Sequence, residues 1–148
     1  MKNLPIGIQS FEKLRKNGDL YVDKTEKIYQ LAIQSKPFFL SRPRRFGKSL
    51  LISTLDALFS GRKELFEGLY VYDKWDWSRK FPVIRIDWTM ISHTTPEVME
   101  ISLSSWFRRL ARDNGITLFS EYAPDCFGEL IMELHRKTGE KVVVLVDE

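Results

Sequence analysis

Apolar and polar positions along this chain follow two rhythms, and the changes between them outline its elements. Turn signals at Pro5, Gly7 and Asn17-Gly18-Asp19 enclose a short helical pattern with Phe11 and Leu14 on one side. Leu20-Tyr21-Val22 reads as a brief extended piece. Asp23 and Glu26 have the spacing of a capping box, and Ile28, Leu31 and Ala32 share one face of the helix behind them, to about Ser35. Lys36-Pro37 ends that helix, and Phe38 to Ser41 reads as a short central strand. Leu51, Leu55, Leu58 and Phe59 then recur at helical spacing as one apolar stripe, stopped by Ser60-Gly61.

The second half repeats the alternation. Glu64 to Trp77 is rich in aromatics and broken by Gly68, which reads as a short helical turn and a loop pinned by tryptophans rather than a base-stacking platform. Phe81 to Asp87 reads as a second strand, with Pro82 at its start where a missing donor is tolerated. Thr94-Thr95-Pro96-Glu97 opens a helix whose apolar face is Leu103, Trp106, Phe107 and Leu110, with Arg108, Arg109 and Arg112 mostly off it as a solvated face. Asn114-Gly115 closes it. A further helix covers Pro124 to Lys137 on Phe127, Leu130, Ile131 and Leu134, and Thr138-Gly139 ends it. Lys141 to Val146 is a β-branched run of the kind buried on both faces of a parallel sheet, and it leads into Asp147-Glu148. Strand–helix–strand–helix–strand order predicts an α/β fold with a parallel sheet and covered faces.

The chemistry concentrates between the first strand and its helix. Arg42-Pro43-Arg44-Arg45-Phe46-Gly47-Lys48-Ser49-Leu50 is a basic loop in which Gly-Lys-Ser opens a helix. A phosphate tail needs loop N–H groups, a helix N-terminus, one lysine and one hydroxyl for Mg²⁺, and this stretch supplies them in that order. The spacing G-x-x-x-x-G-K-[ST] would put its first glycine at position 42, where the chain has Arg42. If that backbone must sit at positive φ, a non-glycine residue costs roughly 1–2 kcal/mol. Nucleotide binding is then weakened or altered, not lost. About a hundred positions downstream, the Asp147 carboxylate leaves a strand end on the same sheet edge. It is a Walker B candidate, able to meet Ser49 and the β- and γ-phosphates through Mg²⁺. Glu148 is placed to orient or deprotonate an attacking water.

Composition adjusts this picture only slightly. The 148 residues suffice for one core, with 43% hydrophobic and 29% charged residues in the soluble globular range. A net charge of +3 does not make a nucleic-acid-binding surface, because the loop arginines account for it. Cys126 is the single cysteine, which excludes an intrachain disulfide and reads as a small core side chain. His93 and His135 have no ligand-spaced partners. No signal-peptide pattern and no apolar run approaching 18 residues is present, so a cytoplasmic, non-membrane protein is expected.

Several segments together carry a family resemblance. Pro5-Ile6-Gly7, Tyr21-Val22-Asp23-Lys24-Thr25, Phe39 through Ser49, Leu65-Phe66-Glu67-Gly68-Leu69, Tyr72 through Trp77 and the closing Leu145-Val146-Asp147-Glu148 occur in that order. Together they resemble the bacterial AAA-ATPase-like family, in which a P-loop ATPase-like domain often precedes a PD-(D/E)XK nuclease-like domain. The resemblance implies a three-layer P-loop NTPase (ASCE/AAA-like) fold, with residues 1–36 as an N-terminal helical extension and 37–148 as an incomplete P-loop core. It implies ATP and Mg²⁺ as ligands, Arg42 as usual for the family, a Walker A role for Gly47, Lys48 and Ser49, and a Walker B role for Asp147 and Glu148. The catalytic assignments are Lys48 and Glu148, and the metal assignments Ser49 and Asp147.

The same resemblance implies a further strand between the Walker A and Walker B strands, ending in a polar sensor. The chain stops on the Walker B acids, so a fragment or truncated reading frame without steady ATP turnover is expected. Three functions stay open. They are an ATP-hydrolysing module coupled to an effector domain, with nucleic acid a partner through that domain, a non-hydrolysing nucleotide switch or interaction module, and a small-acceptor kinase. The kinase is disfavoured because an Asp-Glu pair suits water activation.

Overall fold

A computed structural model describes residues 3–147. The chain divides into two compact units, residues 1–80 and 81–148. The first is helical, with α1 (Phe11–Lys16), α2 (Thr25–Ala32) and α3 (Lys48–Phe59), followed by 3₁₀ turns at Lys63–Phe66 and Tyr70–Asp73. The second contains β1 (Val83–Asp87), a 3₁₀ turn at Trp88–Met90, α4 (Pro96–Asp113), α5 (Ala123–Thr138) and β2 (Val143–Asp147). The chain is thus a mixed α/β protein with a small parallel sheet.

In the first unit the core forms around Phe11, which is fully buried with Leu14, Leu58 and Phe66. The rings of Phe11 and Phe66 lie 4.8 Å apart, and Tyr21 meets Phe11 edge-on at 5.3 Å. Burial and ring geometry both stabilise this cluster. Polar ties fix the helices around it. The Phe11 N–H donates to Ser53 Oγ at 2.9 Å, joining α1 to α3, and Arg15 donates to the carbonyls of Leu65 and Glu67 at 2.7 and 2.6 Å. The loop at 64–77 is pinned by its tryptophans, as its composition predicts. Trp77 stacks near Phe66 at 5.3 Å and donates to Tyr72 O, while Trp75 meets Phe59 edge-on at 5.5 Å.

Asp23 does not form the expected capping box with Glu26. The N-cap residue is Lys24. Asp23 Oδ1 instead accepts from the N–H and the hydroxyl of Thr25, at 2.8 and 2.6 Å, and Oδ2 accepts from the Tyr70 N–H at 2.8 Å. Thr25 is fully buried and accepts from the Val71 N–H at 3.2 Å. Two residues of the Asp-Lys-Thr triplet therefore tie the start of α2 to the turn at 70–73.

In the second unit β1 and β2 pair in parallel, Val83 opposite Val143 and Asp87 opposite Asp147. The crossover carries α4 and α5, which bury Ile84 and Ile86 with Phe107, Ala111, Cys126, Leu130 and Leu134. Thr95 caps α4 through the Val98 N–H at 3.2 Å. Arg108 is no simple solvated residue, since its guanidinium donates to Ser120 O and ties α4 to the loop before α5. Cys126 is core, as expected.

Two strand expectations require correction. Phe38–Ser41 is not a strand, and it has no ladder partner among the described residues. Phe38, Phe39 and Leu40 are 47%, 87% and 42% exposed. Strand geometry is held by pairing, so an apolar run without a partner edge does not assemble. Nor is β2 buried on both faces. Leu145 and Asp147 are buried, whereas Val144 and Val146 remain 39% and 49% exposed. The α4–α5 layer closes over β1 positions Ile84 and Ile86 but leaves the β2 positions in register with them open.

Replacing Thr25 by Val should destabilise the chain by about 1–3 kcal/mol, because the buried Val71 N–H loses its acceptor. Burial raises the Asp23 carboxyl pKa, but the hydrogen bonds from Thr25 and Tyr70 outweigh it and hold the value below the ordinary 3.8. The stabilisation from Asp23 is therefore complete above the ordinary value and is lost as pH falls through the lower folded-state value. Chemical denaturation across pH 3–6 should show the stability gap between wild type and Asp23→Asn shrinking toward the acid end.

Candidate functional site

The basic loop precedes α3 as its spacing predicts. Residues 41–47 are exposed, and α3 begins at Lys48, with the Leu51 N–H donating to Gly47 O at 3.0 Å. Gly47 is the N-cap residue, at φ 77° and ψ 22°, and no side chain caps this helix end. A Cβ there would meet nothing within 4 Å, so the glycine is needed for its left-handed backbone and not for space. Lys48, Ser49 and Leu50 occupy the first turn, half-buried. Uncapped N–H groups and the positive end of the helix dipole make this a suitable place for an anion.

Arg42 does not carry the strain that its place in the glycine pattern raised. Among the described residues only Ser35 and Arg45 are non-glycine residues at positive φ, with Arg45 at 66°. The left-handed turn of this loop falls at Arg45 and Gly47, and position 42 needs no glycine. Arg42 Nη1 instead approaches Phe46 O at 3.4 Å and bridges the two ends of the loop. Pro43, Arg44 and Phe46 are exposed. This Arg-Pro-Arg-Arg-Phe loop is a defined conformation of its own.

Behind the loop, α3 is held by its interior. Thr54, Leu55, Ala57 and Leu58 are buried, while Leu51 and Phe59, expected in the same stripe, are half-buried. The Thr54 hydroxyl donates back to Leu50 O at 2.7 Å.

The second unit, taken by itself, carries the acidic residues that the sequence singled out. Asp147 ends β2 and is 6% exposed. Its register partner Asp87 ends β1, and Oδ1 of Asp87 accepts from the Thr89 N–H and hydroxyl at 2.9 and 2.5 Å. Arg85, two residues before Asp87, reaches diagonally across the ladder to within 3.7 Å of Asp147 Oδ2. The parallel register thus gathers two carboxylates and one guanidinium at the C-terminal edge of the sheet. Arg85 and Asp87 are not among the sequence-predicted site residues, and the only signal for them is a charged residue inside the run Val83-Ile84-Arg85-Ile86-Asp87. Glu148 lies outside the described residues. No group of three or more His, Cys, Asp or Glu side chains able to hold a metal occurs among the described residues. His93 and His135 each place Nδ1 2.9 Å from a nearby backbone carbonyl.

A family model described as Predicted AAA-ATPase matches residues 5–148. The chain belongs to this predicted AAA-ATPase family. Membership makes it an ATPase-like module for which a nucleotide is the expected ligand. A curated relative, the "Uncharacterized protein in vnfD 5'region" of Azotobacter chroococcum mcd 1, is 47% identical over 148 residues, covering 99% of this chain and 29% of the relative. The chain therefore spans less than a third of that relative's length. No solved structure matches. No helix of this AAA-ATPase-like chain is long and apolar enough, among the described residues, to cross a membrane.

The loop geometry gives a contrast that equilibrium denaturation can check. Gly47→Ala should cost about 1–2 kcal/mol, the penalty of a side chain in the left-handed region. Arg42→Gly relieves no backbone strain and should not raise stability.

Proposed function

We propose that this chain is the nucleotide-binding part of an AAA-like P-loop ATPase that binds ATP with Mg²⁺ and powers or regulates an effector domain elsewhere in a longer protein. In this reading residues 1–36 form an N-terminal extension and residues 37–148 an incomplete three-layer P-loop core. The observation that carries the reading is the helix start at Gly47-Lys48-Ser49, uncapped and preceded by an exposed basic loop, in a chain of this family. The curated relative's greater length is in keeping with an effector domain.

The roles follow from the chemistry of the groups. Gly47 turns the backbone so that the first N–H groups of α3 face an incoming phosphate. Lys48 supplies a point charge for the β- and γ-phosphates, and Arg42, Arg44 and Arg45 add positive potential around the loop. The Ser49 hydroxyl and the Asp147 carboxylate are hard oxygen donors of the kind that suit Mg²⁺. When bound, Mg²⁺ would offset charge on the phosphate oxygens. Glu148 orients or deprotonates the attacking water.

The experiment combines binding with turnover in the full chain and in the longer protein. Lys48→Ala should abolish the thermal shift given by Mg²⁺-ATP. Glu148→Gln should keep that shift while lowering turnover by about 10²-fold or more, the typical share of a general base. Equal turnover in wild type and Glu148→Gln would make the module a non-hydrolysing nucleotide switch. Absence of any Mg²⁺-ATP shift in wild type would remove the nucleotide-binding reading altogether.

A further inference from the structure

Asp147 presents an electrostatic problem that the fold has already answered. Its carboxylate is 6% exposed at the end of an apolar strand, and a buried charge is stable only beside a compensating one. The compensation comes from Arg85, whose Nη2 lies 3.7 Å from Asp147 Oδ2. That separation is a charge contact and is longer than a hydrogen bond. A cation approaching the same carboxylate would meet a like charge only a few ångströms away.

The two ends of Arg85 are held differently. Its backbone is fixed by the ladder opposite Leu145 and by the Trp106 indole N–H, which donates to Arg85 O at 3.0 Å. Its side chain is one-third exposed, whereas that of Asp147 is 7% exposed. The guanidinium therefore has water to move into, and the carboxylate does not. Asp87, two residues on, accepts from the Thr89 N–H and hydroxyl through Oδ1.

We propose that Arg85 is the internal counter-ion that holds the Asp147 carboxylate in the metal-free protein, and that it is pushed aside when Mg²⁺ takes that carboxylate. Arg85 is thus a positioning residue. It keeps the metal-binding oxygen fixed and charge-balanced, and it sets a threshold that Mg²⁺ must exceed. The inference rests on the assignment of Asp147 as a metal ligand, and it deepens that assignment.

The test uses the full chain and thermal unfolding. Without Mg²⁺, Arg85→Met should lower Tm by roughly 5 °C, the scale of one uncompensated interaction in a small domain. Arg85→Lys should recover part of the loss, and Arg85→Met placed on Asp147→Asn should have a clearly smaller effect than on wild type. With saturating ATP and titrated magnesium chloride, the midpoint of the Tm shift should fall at least about fivefold in Arg85→Met, the scale of removing one unit charge at about 4 Å in water. A purely structural Arg85 would lower Tm without moving that midpoint. Equal effects of Arg85→Met with and without the Asp147 carboxylate would overturn the pairing. An unchanged magnesium midpoint, with both proteins responding to Mg²⁺-ATP, would overturn the displacement alone. No response to Mg²⁺-ATP in either protein would overturn the displacement and the nucleotide-binding reading together, even if the pairing persisted in the metal-free cycle.

Discussion

Parallel pairing of Val83–Asp87 with Val143–Asp147 is the constraint on which the second unit depends. Parallel neighbours cannot be joined by a tight turn, so the chain must leave one strand end and return to the other through a long crossover. Here the crossover is α4 and α5, and its apolar faces cover Ile84 and Ile86. The same constraint fixes chemistry. Parallel strands end on the same edge, so Asp87 and Asp147 come into register without any loop holding them. An arginine two residues back on β1 is then carried to Asp147 across the ladder.

The first unit reaches its candidate chemistry by another route. Nothing in the basic loop is buried, and its shape comes from two left-handed residues, Arg45 and Gly47, with Arg42 bridging to Phe46 O. The firm part lies behind it, in the α3 side chains that pack inward and in the Ser53 and Thr54 hydroxyls that bond α1 and the turn above. A rigid helix carrying an exposed, positively charged loop is a sensible division for binding a phosphate group. The helix sets the direction of the N–H groups, and the loop supplies charge where solvent and ligand can reach it.

Much of this was legible from the chain alone, element by element. The α4 and α5 stripes, their Thr95 and Gly139 boundaries and the pairable runs at 83–87 and 143–147 follow from periodicity and end signals. The start of α3 at Lys48 follows from Gly-Lys-Ser behind a basic loop. The Phe38–Ser41 run has the composition of a strand but no ladder partner among the described residues, and composition does not supply one. The Asp23–Glu26 spacing predicts a capping box, whereas Asp23 accepts from Thr25 and from Tyr70, 47 residues away, and no local spacing encodes the latter. The pairing of Arg85 is not legible locally, because a charge in a strand has meaning only once its cross-strand neighbour is known.

The sequence by itself determined where helices begin and stop, which runs have the composition of strands, and that a basic loop with Gly-Lys-Ser at its end precedes α3. These are local properties, set by side-chain periodicity, caps and backbone freedom within a few residues. Tertiary structure alone decided which apolar run entered the sheet, which face of β2 stayed open, and which residues stand beside Asp147. Each of those depends on partners far apart in sequence. Ladder hydrogen bonds and buried charges are satisfied only by what the rest of the chain brings to them.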